Sequence, residues 1–421
     1  MPASRAPGQR VVVTGLGILS PLGLEIASHW QAVRSGCSGI RAITRFATEG
    51  LRTRIAGELP GFDPRQTLEE RVLVQMDRFA QMAVVAAFAA MRDAGLDARA
   101  HGLDPYRVGA AIGTAQGGRI SDEEVMAQYF KSDGMRVRPL GVPLIMPSAA
   151  TAWVSIQCGA KGASYPLTNA CASGLNAIGL AAQLLRAGAP VDVFLAGGSD
   201  APVTRSMLAG WSATRATSAR NDTPQQACRP FDRDRDGMVV SEGAAVLVLE
   251  RQSHAERRSA RIRGEVLGYG ATCDAGDLAL PDASGASAAE AIGAALRDAG
   301  VLREEIGYVS AHGTATRAND PAETRALERA FGEHSRRLAV SALKSMLGHT
   351  MGAAGAVESA TALLALENGT IPPTINYTTP DPECDLDYVP GEARPHDGRC
   401  ALVNSFAFGG ANAALVLARW E

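Results

Sequence analysis

This sequence predicts an α/β fold, and three observations lead there. Short apolar runs of strand length alternate with longer Ala-rich helical segments, and Gly and Pro mark the joints between them. No apolar stretch reaches the roughly 18 residues a membrane span needs. At 421 residues the chain exceeds one simple core, so two or three domain-sized units are expected.

In chain order, residues 10–14 read as a buried strand closed by the glycines of Thr14-Gly15-Leu16-Gly17. Asp77 precedes an apolar helix over 79–93 that stops at Gly95. A strand at 107–113 follows, and Ser121-Asp-Glu-Glu124 has capping-box spacing for the next helix. Residues 163–167 read as a strand, and 191–196 and 244–249 as further buried strands. The polar, Arg-rich stretch 251–263 has no apolar periodicity and separates two units, 1–257 and 258–421. Beyond it lie a strand at 265–270, an Ala-rich helix at 287–300 and a strand at 306–310. Asp320-Pro-Ala-Glu323 offers an acid at the N-cap, Pro at N1 and Glu at N3. Segments 170–188 and 348–369 echo each other as small-residue helices entered from a strand, with Cys171 or His349 near the entry.

Bulk properties exclude several functions. A net charge of −3 argues against a dedicated nucleic-acid binder, so an acidic partner needs a local Arg patch. Only Lys131, Lys161 and Lys344 are lysines, which draws attention to them because Arg does not replace a compact ammonium everywhere. Seven cysteines show no CxxC pair and no zinc or disulfide spacing, so free thiols in a reducing compartment are expected. The run Val11–Leu19 imitates a signal core, but Gly15, Gly17 and Pro21 interrupt it, and a cytoplasmic protein is expected. Gly15-Leu-Gly17 lacks the third glycine of a dinucleotide loop. Asp232-Arg-Asp-Arg-Asp236 starts like a calcium loop but reaches Gly243 where the bidentate Glu belongs. No metal ligand set is expected.

Three constellations carry chemistry. Thr168-Asn-Ala-Cys171-Ala-Ser-Gly174 sets a thiol between a strand and a helix start, where the dipole favours thiolate and free N–H groups can hold an oxyanion. The other six cysteines read as structural. Ser310-Ala-His312-Gly-Thr-Ala-Thr316 puts a histidine at a strand end, with the Thr314 and Thr316 hydroxyls free to meet a polar chain. In Ser341-Ala-Leu-Lys344-Ser-Met-Leu-Gly348-His349, Lys344 can pair with Glu358 and hold a histidine network.

Taken together, Cys171, His312-Gly-Thr-x-Thr316 and Lys344-Ser-x-x-Gly-His349 resemble the β-ketoacyl-acyl carrier protein synthases of the elongating type II class, in the thiolase-like superfamily. The resemblance runs from Val11-Val-Val-Thr-Gly15 to Asn404-Ser-Phe-Ala-Phe408-Gly-Gly-Ala-Asn412, through Arg229-Pro-Phe-Asp232 and Ser241-Glu-Gly-Ala-Ala245. It implies two similar halves in α-β-α-β-α layers, the first carrying Cys171 and the second His312, Lys344 and His349. It also implies that Cys171 takes an acyl group from a carrier thioester, and that His312 and His349 assist malonyl decarboxylation. The Cys171 and Phe408 amides would form the oxyanion hole, with Phe408 as a gate. Thr314 and Thr316 would touch pantetheine, and Lys344 and Glu358 would support the site. No cofactor is implied beyond the phosphopantetheine of an acyl carrier protein.

Departures bear on partners. Ala407 stands where fatty-acid members carry Gly, and residues 69–75 lack the basic cluster those members use to dock their carrier. The stretch Thr379 to Pro390 resembles both fatty-acid and type II polyketide ketosynthases, so either a homodimer or a heterodimer with a chain-length-factor-like subunit is implied. A thiolase would want a second cysteine near Phe406-Ala-Phe408, and a non-catalytic tunnel-shaping subunit would lack the nucleophile. Ile112, Met146 and Phe194 are candidate tunnel residues, each also suited to core packing.

Overall fold

The computed structural model describes residues 10–100 and 102–421, so positions 1–9 of the first unit and position 101 lie outside it. Ten strands form one mixed sheet. They are β1 (Val11–Leu19), β2 (Val108–Gly113), β3 (Ser164–Leu167), β4 (Val193–Asp200) and β5 (Gly243–Arg251), then β6 (Gly264–Cys273), β7 (Ile306–Ser310), β8 (Ala339–Ser341), β9 (Cys400–Phe406) and β10 (Ala411–Arg419). Their spatial order is β8-β7-β9-β10-β6-β1-β5-β4-β2-β3. The first five strands and the last five therefore share one order. In each set the third, second and fourth strands run parallel and the fifth is antiparallel to the fourth and the first. The sets adjoin where Val12 and Val13 of β1 pair antiparallel with Glu265 and Gly264 of β6.

Helices complete the layers. α1 (Arg78–Asp93) covers β1, β4 and β5 on the outside. α2 (Arg119–Lys131) follows β2, α3 (Ser173–Arg186) follows Cys171, and α4 (Arg205–Ala213) follows β4. α5 (Ala286–Ala299) covers β6 and β10, and α6 (Asn319–Phe331) packs beside it. α3 and α7 (Ala354–Glu367) touch each other and strands of both sets, so they form the middle layer. Every residue of α7 from Ala354 to Leu366 is buried, as an all-round apolar helix requires. The result is the α-β-α-β-α sandwich.

Several local expectations are corrected. The glycines do not close the first strand: β1 continues to Leu19, with Gly15 and Gly17 inside it. A Cβ at either would overlap the Ala90 or Ala86 carbonyl oxygen of α1, so glycine permits close strand–helix approach here. Ser121 is not an N-cap. It sits inside α2 behind Gly118, and its N–H donates to Asp77 Oδ2 at 2.7 Å. Asp320 and Glu323 lie within α6 and turn inward rather than capping it. Residues 251–263 are polar because they are ion-paired: Arg258 meets Glu250, and Arg263 bridges Asp93 and Glu367, with a short helix Gln252–Arg257 between. The segment 348–369 is not one helix, because Gly348 (φ +74°) and Met351 (φ +51°) interrupt it before α7 starts at Ala354. Of the tunnel candidates, Ile112 and Phe194 are core residues and Met146 is exposed.

Candidate active site

Cys171 lies between β3 and α3, two residues before the helix begins. Ala170 ahead of it holds φ +46°, and Ser405 Oγ at the end of β9 donates to the Cys171 carbonyl at 2.9 Å. Ala315 (φ +62°) and Met351 (φ +51°) are left-handed as well, so each of the three site loops carries one non-glycine residue in a strained conformation. The Cys171 Sγ stands 3.1 Å from His349 Nε2. Burial pushes the thiol up to about 12, the Lys344 charge pulls it back, and the Asp200 charge raises it. Burial thus works against the thiolate that the helix start favours.

The hydrogen bonds fix both imidazoles. His349 Nδ1 accepts the Met351 N–H at 3.2 Å, which leaves the ring proton on Nε2, facing the sulfur. Lys344 Nζ reaches His312 Nδ1 at 3.3 Å and Glu358 Oε1 at 2.5 Å. An ammonium only donates, so His312 also carries its proton on Nε2. Burial, with the Lys344 charge, holds both histidines well below their ordinary range, so both are neutral N–H donors. Burial raises Glu358 to about 7 against the pull of Lys344. The two rings sit edge to face, 5.3 Å apart.

Cys171, His312 and His349 line one cavity of about 310 Å³ together with Thr314, Thr316, Phe406, Ala407 and Phe408, and Lys344 and Glu358 lie behind His312. The Thr314 and Thr316 hydroxyls bond each other at 2.9 Å. Phe408 is 42% exposed and leans on Trp211, with ring centroids 5.3 Å apart. Ala407 is not among the positive-φ residues, so its Cβ causes no strain in this arrangement. All eight residues singled out in the sequence therefore gather around one cavity or directly behind it.

Other contributors were missed. Glu323 accepts the His312 and Gly313 N–H groups, both at 2.8 Å, and Asn404 Nδ2 at 3.3 Å, which holds the His312 turn. Its spacing from Asp320 was visible but was read as a helix cap. Asp200 closes the β4 run Ala-Gly-Gly-Ser-Asp, and an acid ending an otherwise uncharged strand was the available signal. Ser405 and Trp211 left no local signal.

A duplicated layered fold with a thiol where its halves meet defines the thiolase-like class, and two imidazole N–H donors beside that thiol suit its condensing members. Residues 8–255 match the family described as beta-ketoacyl synthase, N-terminal domain, and residues 263–378 match its C-terminal domain. The chain is 42% identical to the "3-oxoacyl-[acyl-carrier-protein] synthase 2" of Staphylococcus aureus (strain COL), over 98% of this chain and 99% of that protein. The solved structure of "the ishigamide ketosynthase/chain length factor" superposes with a TM-score of 0.92 at 38% identity, covering 98% of this chain and all of that one. A type II polyketide ketosynthase bound to its acyl-carrier protein, AntDE:AntF, superposes at 0.90 with 33% identity over 98% of this chain and all of that one. The chain belongs to the beta-ketoacyl synthase family.

Proposed function

We propose that this chain lengthens a carrier-bound acyl group by two carbons through decarboxylating Claisen condensation. The observation that carries this reading is the Cys171–His349 contact beside a second histidine whose proton is also on Nε2. The Cys171 sulfur attacks the thioester of an acyl carrier. The carrier thiolate leaves and takes up the proton that the Cys171 thiol gives up. Malonyl thioester then enters, its carboxylate leaves as carbon dioxide, and the electron pair of the broken bond passes onto the thioester oxygen. His312 and His349 N–H groups hold that enolate. Its carbon attacks the acyl carbonyl on Cys171, the Cys171 and Phe408 amides hold the tetrahedral oxyanion, and the collapse expels the Cys171 thiolate, which takes up a proton from solvent. The product is a β-ketoacyl carrier, and loss of carbon dioxide draws the reaction forward.

In this reading Thr314 and Thr316 contact the pantetheine arm, Lys344 and Glu358 hold His312, and Phe408 gates the cavity. Units 1–257 and 258–421 meet at the site, one supplying Cys171 and the other His312, Lys344 and His349. The phosphopantetheine of an acyl carrier protein is the only prosthetic group needed, and the free thiols suit the cytoplasm. The chain pairs with a second copy of itself. Support comes from β3, which ends the sheet with an open edge, and from exposed Phe130, Met135, Val142 and Ile156 on the neighbouring segments. The likeness to a ketosynthase/chain length factor favours a second reading, a heterodimer with such a subunit.

Carbon dioxide release from malonyl carrier tests the histidine roles. His312→Ala and His349→Ala each lower release about 100-fold or more, with Cys171 acylation less affected. Wild-type release from both variants would remove the enolate role.

A further inference from the structure

Asp200 is a buried acid for which the condensation has no use. Its Oδ1 accepts Thr114 Oγ1 at 2.6 Å and the Gln116 N–H at 3.0 Å. Its Oδ2 accepts the Ala115 N–H and the Gly352 N–H, both at 2.7 Å. Among the described residues no Arg, Lys or His nitrogen lies within 4.0 Å of it, so four neutral donors hold the charge. Thr114 also backs the nucleophile loop: Ser173 Oγ, which donates to the Ala170 carbonyl at 2.6 Å, lies 3.2 Å from the Thr114 carbonyl, and the Gly117 N–H donates to Thr114 Oγ1 at 3.0 Å. Gly352 belongs to the His349 loop, one residue after the Met351 N–H that fixes the ring. A Cβ on Gly352 would overlap the Ala115 nitrogen and come within 2.6 Å of Asp200 Oδ2, so the two loops and the carboxylate are in close contact there. One side chain thus ties the loop behind Cys171 to the loop carrying His349.

We propose that Asp200 is a positioning residue that sets the Cys171–His349 contact. This rests on Cys171 being the nucleophile. Burial raises Asp200 to about 6, so above that pH both its oxygens accept, two donors each.

Two variants test the clamp. Asp200→Asn turns an amide N–H toward two of the four donors. Thr114→Val removes one clamp bond and keeps the carboxylate. The readout is condensation kinetics with acyl and malonyl carriers. In Asp200→Asn kcat falls about 100-fold with KM for the carrier little changed, as misplacement of reacting groups predicts. In Thr114→Val kcat falls about tenfold, again with KM little changed. Should Asp200→Asn not fold, Thr114→Val at wild-type kcat overturns the positioning role. A folded Asp200→Asn with wild-type kcat overturns it as well. Failure of the wild-type Cys171 to take an acyl group instead overturns the nucleophile reading, and this proposal falls with it.

Discussion

At Cys171 two effects compete, and burial prevails. Burial pushes the thiol up to about 12, and its neighbour His349 turns an N–H toward the sulfur instead of a lone pair. Cys171→Ala should therefore give no acyl adduct from an acyl carrier, checked by intact mass; a condensing variant would overturn the nucleophile assignment. His29 supplies a different test. It is fully buried between Ser20 Oγ (2.8 Å) and Thr361 Oγ1 (2.9 Å), and burial lowers it to about 4. Unfolded, it titrates near 6.5, so the unfolded chain binds the extra proton first as pH falls. The stability of neutral His29 is present above about 6.5 and is lost toward 4, by about 3 kcal/mol at most. His29→Gln should flatten the denaturation-versus-pH slope in that window, and an unchanged slope would contradict the assignment. At this scale Cys171, His312, His349 and Lys344 were legible because residue type and local spacing name them. Asp200, Glu323 and Ser405 were not, because what they hold is decided by the fold: Ser405 meets a carbonyl 234 positions away.

Among the elements, helices with one-sided apolar patterns, such as α1, were legible to within a residue. The errors fell where tertiary contact changes what a residue means. Gly17 looked like a turn and is instead a contact between β1 and α1. Gly17→Ala should cost about 3 kcal/mol through overpacking, seen as a lower urea midpoint. Gly210, inside α4 with open space at its Cβ, is the matching control: Gly210→Ala should gain up to about 1 kcal/mol. Equal effects at the two sites would refute the packing argument. The ion pairs in the polar stretch 251–263 were out of reach for the same reason, since unpaired and paired charges look alike in a sequence.

For the whole molecule, the matching order of the two five-stranded sets explains why the site forms where it does. Cys171 follows β3 of the first set, while His312 follows β7 and His349 comes after β8 of the second, and α3 and α7 hold the sets together. The faint echo between two Ala- and Gly-rich segments was the sequence trace of this duplication. Strand pairing across the sets was beyond its reach, because register depends on partners more than 200 residues apart. The open β3 edge leads to the expectation of a dimer in sedimentation at micromolar concentration; a monomer that still condenses would show that pairing is dispensable. The most direct test of the central claim is intact-mass analysis of the purified chain with acyl carrier and malonyl carrier. The account predicts an acyl adduct on Cys171 and then a β-ketoacyl carrier two carbons longer. Unmodified Cys171 and unchanged carriers, under conditions where the chain binds both, would contradict it.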